Sequence, residues 1–386
     1  MTTIAIVGGK LQGVESLYLT GKAGFKSLLI DRDPDVPGRK LCDRFICLDV
    51  LKYSCQFLEL LEGVDFVLPA LENRRVLEHL TALSKAHGFK LAFDLDAYEI
   101  TSSKLISDQM MAAHGIPVPR YYPEVGLPLI AKPSGMSGSA GVKKLVNQCD
   151  LLNILPIISG KDWVLQEYLQ GPSYSIEIIG RPGAYRTYHI TELLMDQEYD
   201  CKRVLSTPAL PEKVERDFRD IAIKLGNMVQ LTGIMDVEVI YDKGVLKVLE
   251  IDARMPSQTP SVVYHATGAN FVSELHHLFR GDFSAPRHFS PPSYISYEHI
   301  KVEGRNVDIL GEHIMTTGGF LDVRQGFLGT KEALTDWAPG KTCWIATLLQ
   351  EANCLDDLEN KRRETMTALG EMQGRPIRIR DQAPDL

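Results

Sequence analysis

Short apolar runs and helical patterns alternate along the first 95 residues of the chain. The runs at residues 3–7, 27–31 and 66–70 predict buried parallel strands. A helical pattern follows the first run to about residue 21, and another covers residues 72–87 before a glycine that is typical of a helix end. Strands that alternate with helices in this way predict a doubly wound parallel sheet, which is an α/β domain.

The pattern changes after residue 95. Residues 101–114 predict a helix capped by Ser102 or Ser103, and a loop rich in glycine and serine follows at residues 134–141. Two alternating segments at 234–252 surround Asp-Lys-Gly, which is a turn signal and predicts a β-hairpin.

Composition and charge exclude several classes of protein. Hydrophobic residues make up 44% and charged residues 24% of the chain, which excludes a wholly disordered or collagen-like chain. A net charge of -8 provides no general attraction for nucleic acid or an anionic membrane, and we find no apolar run long enough to span a bilayer. Seven cysteines without a CxxC pair are typical of reduced thiols. We therefore expect a soluble cytoplasmic protein of two or three domains that binds neither nucleic acid nor membrane, and the sequence predicts no oligomeric state.

The glycine-rich turn at residues 8–13 is the first candidate site. A strand-to-helix turn presents backbone N–H groups that can bind an anion. The turn matches neither the dinucleotide-binding fingerprint nor a P-loop, although Asp31 lies where a ribose-binding acid would be. A tight turn that binds nothing explains the pattern equally well, and both interpretations stay open.

Lys132 ends an apolar strand directly before the loop at 134–141, which is the second candidate site. Loop N–H groups and hydroxyls can close over nucleotide phosphates, while the lysine supplies a positive charge. Lys104 lies in the first turn of a predicted helix, where a cation opposes the helix dipole, and this unfavourable position indicates a ligand. A flexible loop with a solvated lysine is the alternative.

The predicted hairpin is the most informative segment. If Tyr241 pairs with Val245, Glu238 lies opposite Val248 and diagonal to Glu250. Alternation then places five residues on one face, namely Glu238, Val248, Glu250, Asp252 and Arg254.

Carboxylates gathered on one sheet face repel each other unless a divalent cation lies between them. Oxygen ligands beside a phosphate-binding loop favour Mg²⁺, and Asp236 is a reserve ligand on the same face. The alternative is a solvated face neutralised by Arg254 and Lys247, although Lys247 is predicted on the opposite face.

Together these segments resemble the ATP-grasp superfamily of carboxylate–amine ligases over about residues 1–285. The resemblance implies that ATP is bound by two lysines, by lid residues and by an adenine hinge, which are Lys104, Lys132, Ser137, Gly138, Ser139, Glu167, Tyr168 and Leu169. It implies Mg²⁺ held by Glu238, Glu250 and Asp252, of which the two glutamates also belong to the ATP site. Asp252 replaces the usual Asn, and Ser173 stands where many members have a ribose-binding acid.

The resemblance also implies a domain organisation and a reaction. An N-terminal α/β domain over 1–95 would precede an ATP-grasp fold of two α+β subdomains over 96–170 and 171–386, with an extra C-terminal segment from about residue 290. ATP would phosphorylate a carboxylate to an acyl phosphate, which an amine then attacks. Lys132 and Arg254 would be catalytic, since both would neutralise charge on the phosphate and the oxyanion.

Four local segments are similar to a subfamily that joins 3-methyl-D-ornithine, an ornithine-like amino acid, to the side-chain amine of L-lysine in pyrrolysine biosynthesis. They are residues 8–13, 69–73, 131–139 and 250–260. Because ligands gather beyond the carboxyl ends of parallel strands, we expect lysine near Leu11, Gln12 and Glu72. We expect the ornithine-like acid near Arg254, Ser257, Thr259 and Ser261. Glu72 has an alternative role as a first-turn acid that the helix dipole favours.

Two other functions stay open at this point. One is a different ATP-grasp ligase, of the D-alanine–D-alanine or purine-carboxylase type. The other is a nonenzymatic nucleotide-binding regulator, which would not need the full set of metal-binding carboxylates.

Overall fold

The computed structural model describes residues 1–136, 138–206, 210–283, 293–374 and 376–384. The first part of the chain forms a parallel sheet of the strands β1 (Thr3–Val7), β2 (Lys26–Asp31), β3 (Arg44–Cys47) and β4 (Phe66–Pro69), in the order β3-β2-β1-β4. Its helices are α1 (Leu11–Lys22), α2 (Ser54–Leu60), α3 (Arg74–His87) and α4 (Leu95–Thr101). The predicted doubly wound parallel sheet is confirmed.

A small antiparallel sheet follows, in the order β6-β5-β7. Its elements are α5 (Lys104–Ala113), β5 (Leu129–Pro133), β6 (Lys143–Leu145), α6 (Gln148–Ile158) and β7 (Trp163–Glu167). The helix predicted from residue 101 begins at Lys104, because the Ser103 hydroxyl accepts the N–H of Ile106 and caps it there. Thr101 instead ends α4.

The rest of the described chain builds a twelve-stranded, mainly antiparallel sheet. Its strands are β8 (Ser173–Arg181), β9 (Ala184–Thr187), β10 (Thr191–Met195), β11 (Cys201–Leu205), β12 (Gly233–Asp242), β13 (Val245–Asp252), β14 (Tyr294–Glu303), β15 (Asn306–Ile309), β16 (Asp322–Gln325), β17 (Glu332–Thr335), β18 (Cys343–Ala352) and β19 (Arg378–Asp381). Its helices are α7 (Glu212–Met228), α8 (Thr259–Thr267), α9 (Phe271–Arg280) and α10 (Leu355–Met372).

The hairpin forms one edge of this large sheet, and β16 forms the other. The order is β13-β12-β8-β10-β11-β14-β18-β17-β16, with β9 on β8, β15 on β14 and β19 on β15. The segment after residue 290 therefore continues the sheet that carries the hairpin. No helix in the described ranges is long and apolar enough to cross a membrane. The domain boundaries expected near residues 95 and 170 stay predictions.

The predicted hairpin forms, but its register differs from the prediction. Asp242, rather than Tyr241, pairs with Val245. The reason is that the turn contains only two residues, Lys243 and Gly244. Both have positive φ, as a two-residue type I′ turn requires.

A β-bulge at Leu249 changes the register again. Val239 pairs with Val248, and the next pair is Glu238 with Glu250, so Glu238 lies directly opposite Glu250 instead of diagonal to it. Val248 leaves the predicted carboxylate face and is fully buried in the core. Lys247 pairs with Ile240 and so shares the face of Glu238, contrary to the prediction.

One apolar core joins the parallel sheet to the large sheet. Leu17 of α1 packs in the same cluster as Ile234 of β12, Phe271 of α9 and Ile345 of β18. The carboxyl ends of the parallel strands are thereby fixed against the large sheet.

Candidate active site

A large cavity of about 470 Å³ lies between the small antiparallel sheet and the large sheet. The predicted ATP residues that line it come from four segments, and they are Lys104, Lys132, Ser139, Glu167, Tyr168, Leu169, Glu238 and Glu250. Gly138 lies at the adjoining small cavity, and Ser137 lies outside the described residues. Residues that are 146 positions apart in the sequence, such as Lys104 and Glu250, thus meet around one space.

Part of the lining of the large cavity is apolar and can pack against a planar ring. Ile130, Leu169, Ile240 and Leu249 line it. The Glu167 carboxylate is not available for this space, because Lys247 and the backbone N–H of Arg120 bind it. Burial alone would raise the pKa of the Glu167 carboxyl, but the contacts with Lys247 and Arg120 together outweigh burial and lower that pKa. The predicted hinge can therefore offer backbone groups rather than a side chain.

Ser173 and Glu192 lie on neighbouring strands in the wall of the same cavity. The Ser173 hydroxyl donates to the backbone oxygen of Val239 at 3.4 Å. Glu192 is a carboxylate that the sequence analysis did not identify, and burial raises its pKa.

The two predicted lysines lie beside the carboxylates of the hairpin. The Lys104 ammonium contacts Glu250 Oε1 at 2.6 Å and the backbone oxygen of Met136 at 2.7 Å. Burial lowers the pKa of Lys132, and Glu250 opposes that shift. Two cations and several apolar side chains around one cavity suit a ligand with one ring and one anionic tail.

The carboxylates of the hairpin form two facing pairs, Glu238 with Glu250 and Asp236 with Asp252. Burial and the neighbouring Glu250 raise the pKa of Glu238 to about 8. Burial likewise raises the pKa of Asp252, and Arg254 opposes it with a 2.9 Å contact.

The hairpin carboxylates fit a divalent cation that also binds phosphates. Within the described ranges, no three Asp, Glu, His or Cys side chains could hold a metal ion by themselves. Mg²⁺ in nucleotide sites usually takes only one or two carboxylates and completes its shell with phosphate and water. Buried Asp236 Oδ1 has no hydrogen-bond partner, so acceptor capacity is available on this face.

A small cavity of about 100 Å³ adjoins the large one, and Glu238 and Glu250 line both. Of the predicted substrate residues, Arg254, Ser257 and Thr259 line it. Ser261 does not, since its backbone N–H donates to Glu15 behind the cavity.

Asp200 and Glu312 also line the small cavity, and the sequence analysis missed both. Asp200 accepts from the His313 ring at 2.8 Å, while Glu312 Oε2 is buried without a hydrogen-bond partner. Neither residue stands in a local motif, so no sequence signal pointed to them. An excess of carboxylates in a closed space suits a ligand that carries ammonium groups.

Gln258 holds the loop beside this cavity in a strained conformation. Its φ of 69° and ψ of -63° form a γ-turn, closed by a 2.8 Å hydrogen bond from the Thr259 N–H to the Ser257 oxygen. Strain of this kind persists only where the surroundings enforce it, and here the buried Gln258 amide donates to the Cys201 oxygen.

A chain of polar contacts leads from the parallel sheet to the hairpin. Gln12 Nε2 donates to Glu72 Oε1 at 2.8 Å, and the same oxygen lies 2.9 Å from Arg254 Nη2. Gln12 and Glu72 therefore converge as predicted from the strand ends, whereas Leu11 packs against the core. Asp31 accepts the N–H of Gly9 at 2.8 Å, so its carboxylate stabilises the turn.

Comparison with known proteins places these features in context. Residues 101–258 match the family described as ATP-grasp domain. The 3-methyl-D-ornithine–L-lysine ligase of Methanosarcina barkeri is 36% identical over 319 residues, which are 82% of this chain and 85% of that protein.

Two solved structures have the same fold at low sequence identity. A biotin carboxylase domain of the Hydrogenobacter thermophilus 2-oxoglutarate carboxylase, in complex with MgADP, ADP and bicarbonate, has a TM-score of 0.72 at 15% identity, with 94% of this chain and 89% of that chain covered. An L-amino acid ligase from Bacillus licheniformis has a TM-score of 0.69 at 16% identity, with 95% and 97% covered.

Proposed function

Since this chain belongs to the 3-methyl-D-ornithine–L-lysine ligase family, we propose that it forms an amide bond between 3-methyl-D-ornithine and the side-chain amine of L-lysine, using ATP and Mg²⁺. The resemblance to ATP-grasp ligases that the motifs indicated is confirmed by this relationship. One observation carries the proposal. The large cavity, with two lysines and apolar side chains in its lining, meets the small carboxylate-lined cavity at Glu238 and Glu250.

In this proposal the nucleotide occupies the large cavity. Its adenine packs against the apolar residues of the lining, such as Leu169, and its phosphates lie beside Lys104 and Lys132. Glu238 and Glu250 would hold Mg²⁺ together with phosphate oxygens, with Asp252 beside them, and the ion would neutralise phosphate charge when bound. Lys132 stabilises the charge that develops during transfer, since its side chain lines the same cavity.

The ornithine-like acid occupies the small cavity, with its carboxylate toward the hairpin. A carboxylate oxygen attacks the γ-phosphorus of ATP, the bond to the β–γ bridging oxygen breaks, and ADP and an acyl phosphate result. Arg254 is held by Asp252 and Glu72, and these carboxylates raise its pKa despite burial, so it stays cationic. It can therefore neutralise the oxyanion when the amine attacks the acyl carbon and phosphate leaves. Asp200 and Glu312 face the ammonium groups of the acid.

Lysine approaches from the parallel sheet. Its side-chain amine must lose a proton before attack, while its other charged groups need anchors near Gln12 and Glu72. Glu72 supports this placement because it touches both Gln12 and Arg254, which puts the amine donor next to the residue that stabilises the acyl group.

An ADP-release assay with mass analysis of the product tests the proposal. We expect ADP formation with 3-methyl-D-ornithine, ATP, Mg²⁺ and L-lysine, and a product that contains both amino acids minus one water. Omission of either amino acid should suppress ADP release. Two comparison mixtures contain D-alanine alone, or aminoimidazole ribonucleotide with bicarbonate. Turnover with either of these but not with the ornithine–lysine pair would contradict the proposal and favour another ATP-grasp reaction.

A further inference from the structure

The end of the described chain reaches the wall of the large cavity. Strand β19 pairs in parallel with β15 at the margin of the large sheet. Asp381, Ala383 and Pro384 line the large cavity, although they lie more than 120 residues beyond the hairpin that carries Glu250.

Asp381 bridges two cations in this wall. Its Oδ1 lies 2.6 Å from the Lys202 ammonium, and its Oδ2 lies 2.8 Å from Arg362 Nη2. The backbone oxygen of Gln382 accepts a second hydrogen bond from Lys202 at 2.7 Å. Both Lys202 and Arg362 line the large cavity, so their positions depend directly on the end of the chain.

The cations of this wall differ in how firmly they are held. Arg362 donates from Nε to both oxygens of Glu298, at 2.9 and 3.0 Å, and Arg203 contacts Glu359 at 2.5 Å. Lys202 has a flexible side chain, and in the described part of the chain its carboxylate contact is Asp381. Loss of the Asp381 carboxylate would therefore leave Lys202 with its backbone contact to Gln382 and without a countercharge among the described residues, while both arginines stay paired.

We infer that Asp381 is a positioning residue for the nucleotide: it holds the Lys202 ammonium in the wall of the large cavity, where that ammonium meets the anionic part of the bound nucleotide. The inference rests on the proposed function, because it requires a nucleotide in this cavity. It assigns a role in the reaction to Lys202, to Asp381 and to the strand that carries Asp381.

A double-mutant cycle on nucleotide binding tests the inference. Binding of MgADP to the whole chain is measured by calorimetry for the wild type, Asp381→Asn, Lys202→Met and the double variant. We expect each single change to weaken binding about tenfold, as loss of a charge-assisted contact does. In the Lys202→Met background, Asp381→Asn should weaken MgADP binding by less than a further factor of about two, because the effects of coupled residues on binding are not additive. Asp381→Glu should restore part of the affinity.

Arg380→Gln is the matched control. Arg380 is the neighbour of Asp381 on β19 and pairs with Asp308 instead, away from the large cavity. We expect this change to lower the thermal midpoint as much as Asp381→Asn does and to leave MgADP binding unchanged.

The outcomes separate the two proposals. Equal loss of MgADP affinity in Arg380→Gln and Asp381→Asn would overturn the inference, since β19 would then act only by docking. Unchanged affinity in Asp381→Asn, or full additivity in the double variant, would also overturn it. A wild-type chain that binds no nucleotide would overturn the proposed function itself.

Discussion

Glu238 and Glu250 face each other across an antiparallel ladder, a pairing that like charge makes unfavourable. Burial adds to this cost, as the raised pKa of Glu238 indicates. Lys104 offsets part of it through its contact with Glu250. A residue pair that destabilises the fold and borders two cavities is better explained by a ligand than by packing.

This reasoning predicts that Glu250→Gln changes activity far more than stability. Turnover of ATP should fall at least about 100-fold, because the proposed cation loses a charged ligand next to the phosphates. The thermal midpoint should stay close to that of the wild type, because the amide relieves repulsion with Glu238 but weakens the ion pair with buried Lys104. Calorimetry and the ADP-release assay check both, with exposed Glu303→Gln on β14 as the control. A variant that unfolds at a lower temperature would assign Glu250 a structural role.

Glu72→Gln should distinguish lysine binding from the positioning of Arg254. If the Glu72 carboxylate anchors an ammonium group of lysine, the KM for lysine should rise about tenfold, with the constants for ATP and 3-methyl-D-ornithine unchanged. The amide can still contact Gln12 and Arg254, which keeps the site assembled. Glu78→Gln, on the exposed side of α3, is the matched control. A change confined to the 3-methyl-D-ornithine constant would contradict the anchor and show that Glu72 acts through Arg254.

Single residues could be predicted where a local pattern marks them. Lys132 before its loop and the alternating acids of the hairpin stand out in the sequence, and the structure brings them to one cavity. Asp200, Glu312 and Lys202 carry no such signal. Their proximity comes from contacts between distant segments, as in the pair of Lys202 with Asp381, which are 179 residues apart.

At the level of elements, the loop that follows Lys132 approaches the His313 ring closely at a glycine, Gly138. Gly138 has a φ of +58°, and a Cβ added there would lie 2.3 Å from Cε1 of the His313 ring. Asp200 holds that ring in place at 2.8 Å. A side chain at position 138 would therefore displace either the loop or the His313 ring.

Gly138→Ala should raise the KM for ATP about fivefold or more, since a left-handed residue with a Cβ costs about 1–2 kcal/mol even without a clash. Steady-state kinetics check this, with Gly135→Ala in the same loop as the comparison, because a Cβ there meets nothing closer than 3.9 Å. Adding His313→Ala to Gly138→Ala should remove the part of the increase in the KM for ATP that the clash with the His313 ring causes. An equal effect of both glycine variants would contradict the special role of position 138.

The elements themselves were largely predictable, and their pairing was less so. The strands of the parallel sheet follow from apolar runs, and the hairpin follows from its turn signal. The register was wrong because the turn takes two residues and because Leu249 forms a bulge, and a bulge depends on the neighbouring cavity and strand rather than on local sequence. The C-terminal strands after residue 290 were not predicted, since β19 reaches its partner β15 over about 70 residues.

On the scale of the whole molecule, α1 and α8 meet through a buried carboxylate. Glu15 of α1 is 1% exposed, accepts the N–H of Ser261 at 2.5 Å, and lies 3.3 Å from the Tyr297 hydroxyl. Ser261 is in the first turn of α8, where unsatisfied N–H groups favour an acceptor. This contact joins the parallel sheet to the loop of the small cavity, and no periodicity in the sequence predicts it.

Burial raises the pKa of Glu15 from 4.5 to about 7, so the folded chain retains a proton that the unfolded chain releases. The contribution of Glu15 to the free energy of unfolding is therefore fully present below pH 4.5, and it declines until the pH exceeds 7. Between pH 5 and pH 8 the loss should be about 2–3 kcal/mol. Glu15→Gln cannot titrate, so the stability of wild type relative to this variant should fall by that amount over the same range. Urea unfolding at both pH values measures the difference, with exposed Glu59→Gln on α2 as the control. A difference that is constant with pH would mean that Glu15 has the same charge in both states and that its role at the junction of α1 and α8 does not depend on a retained proton.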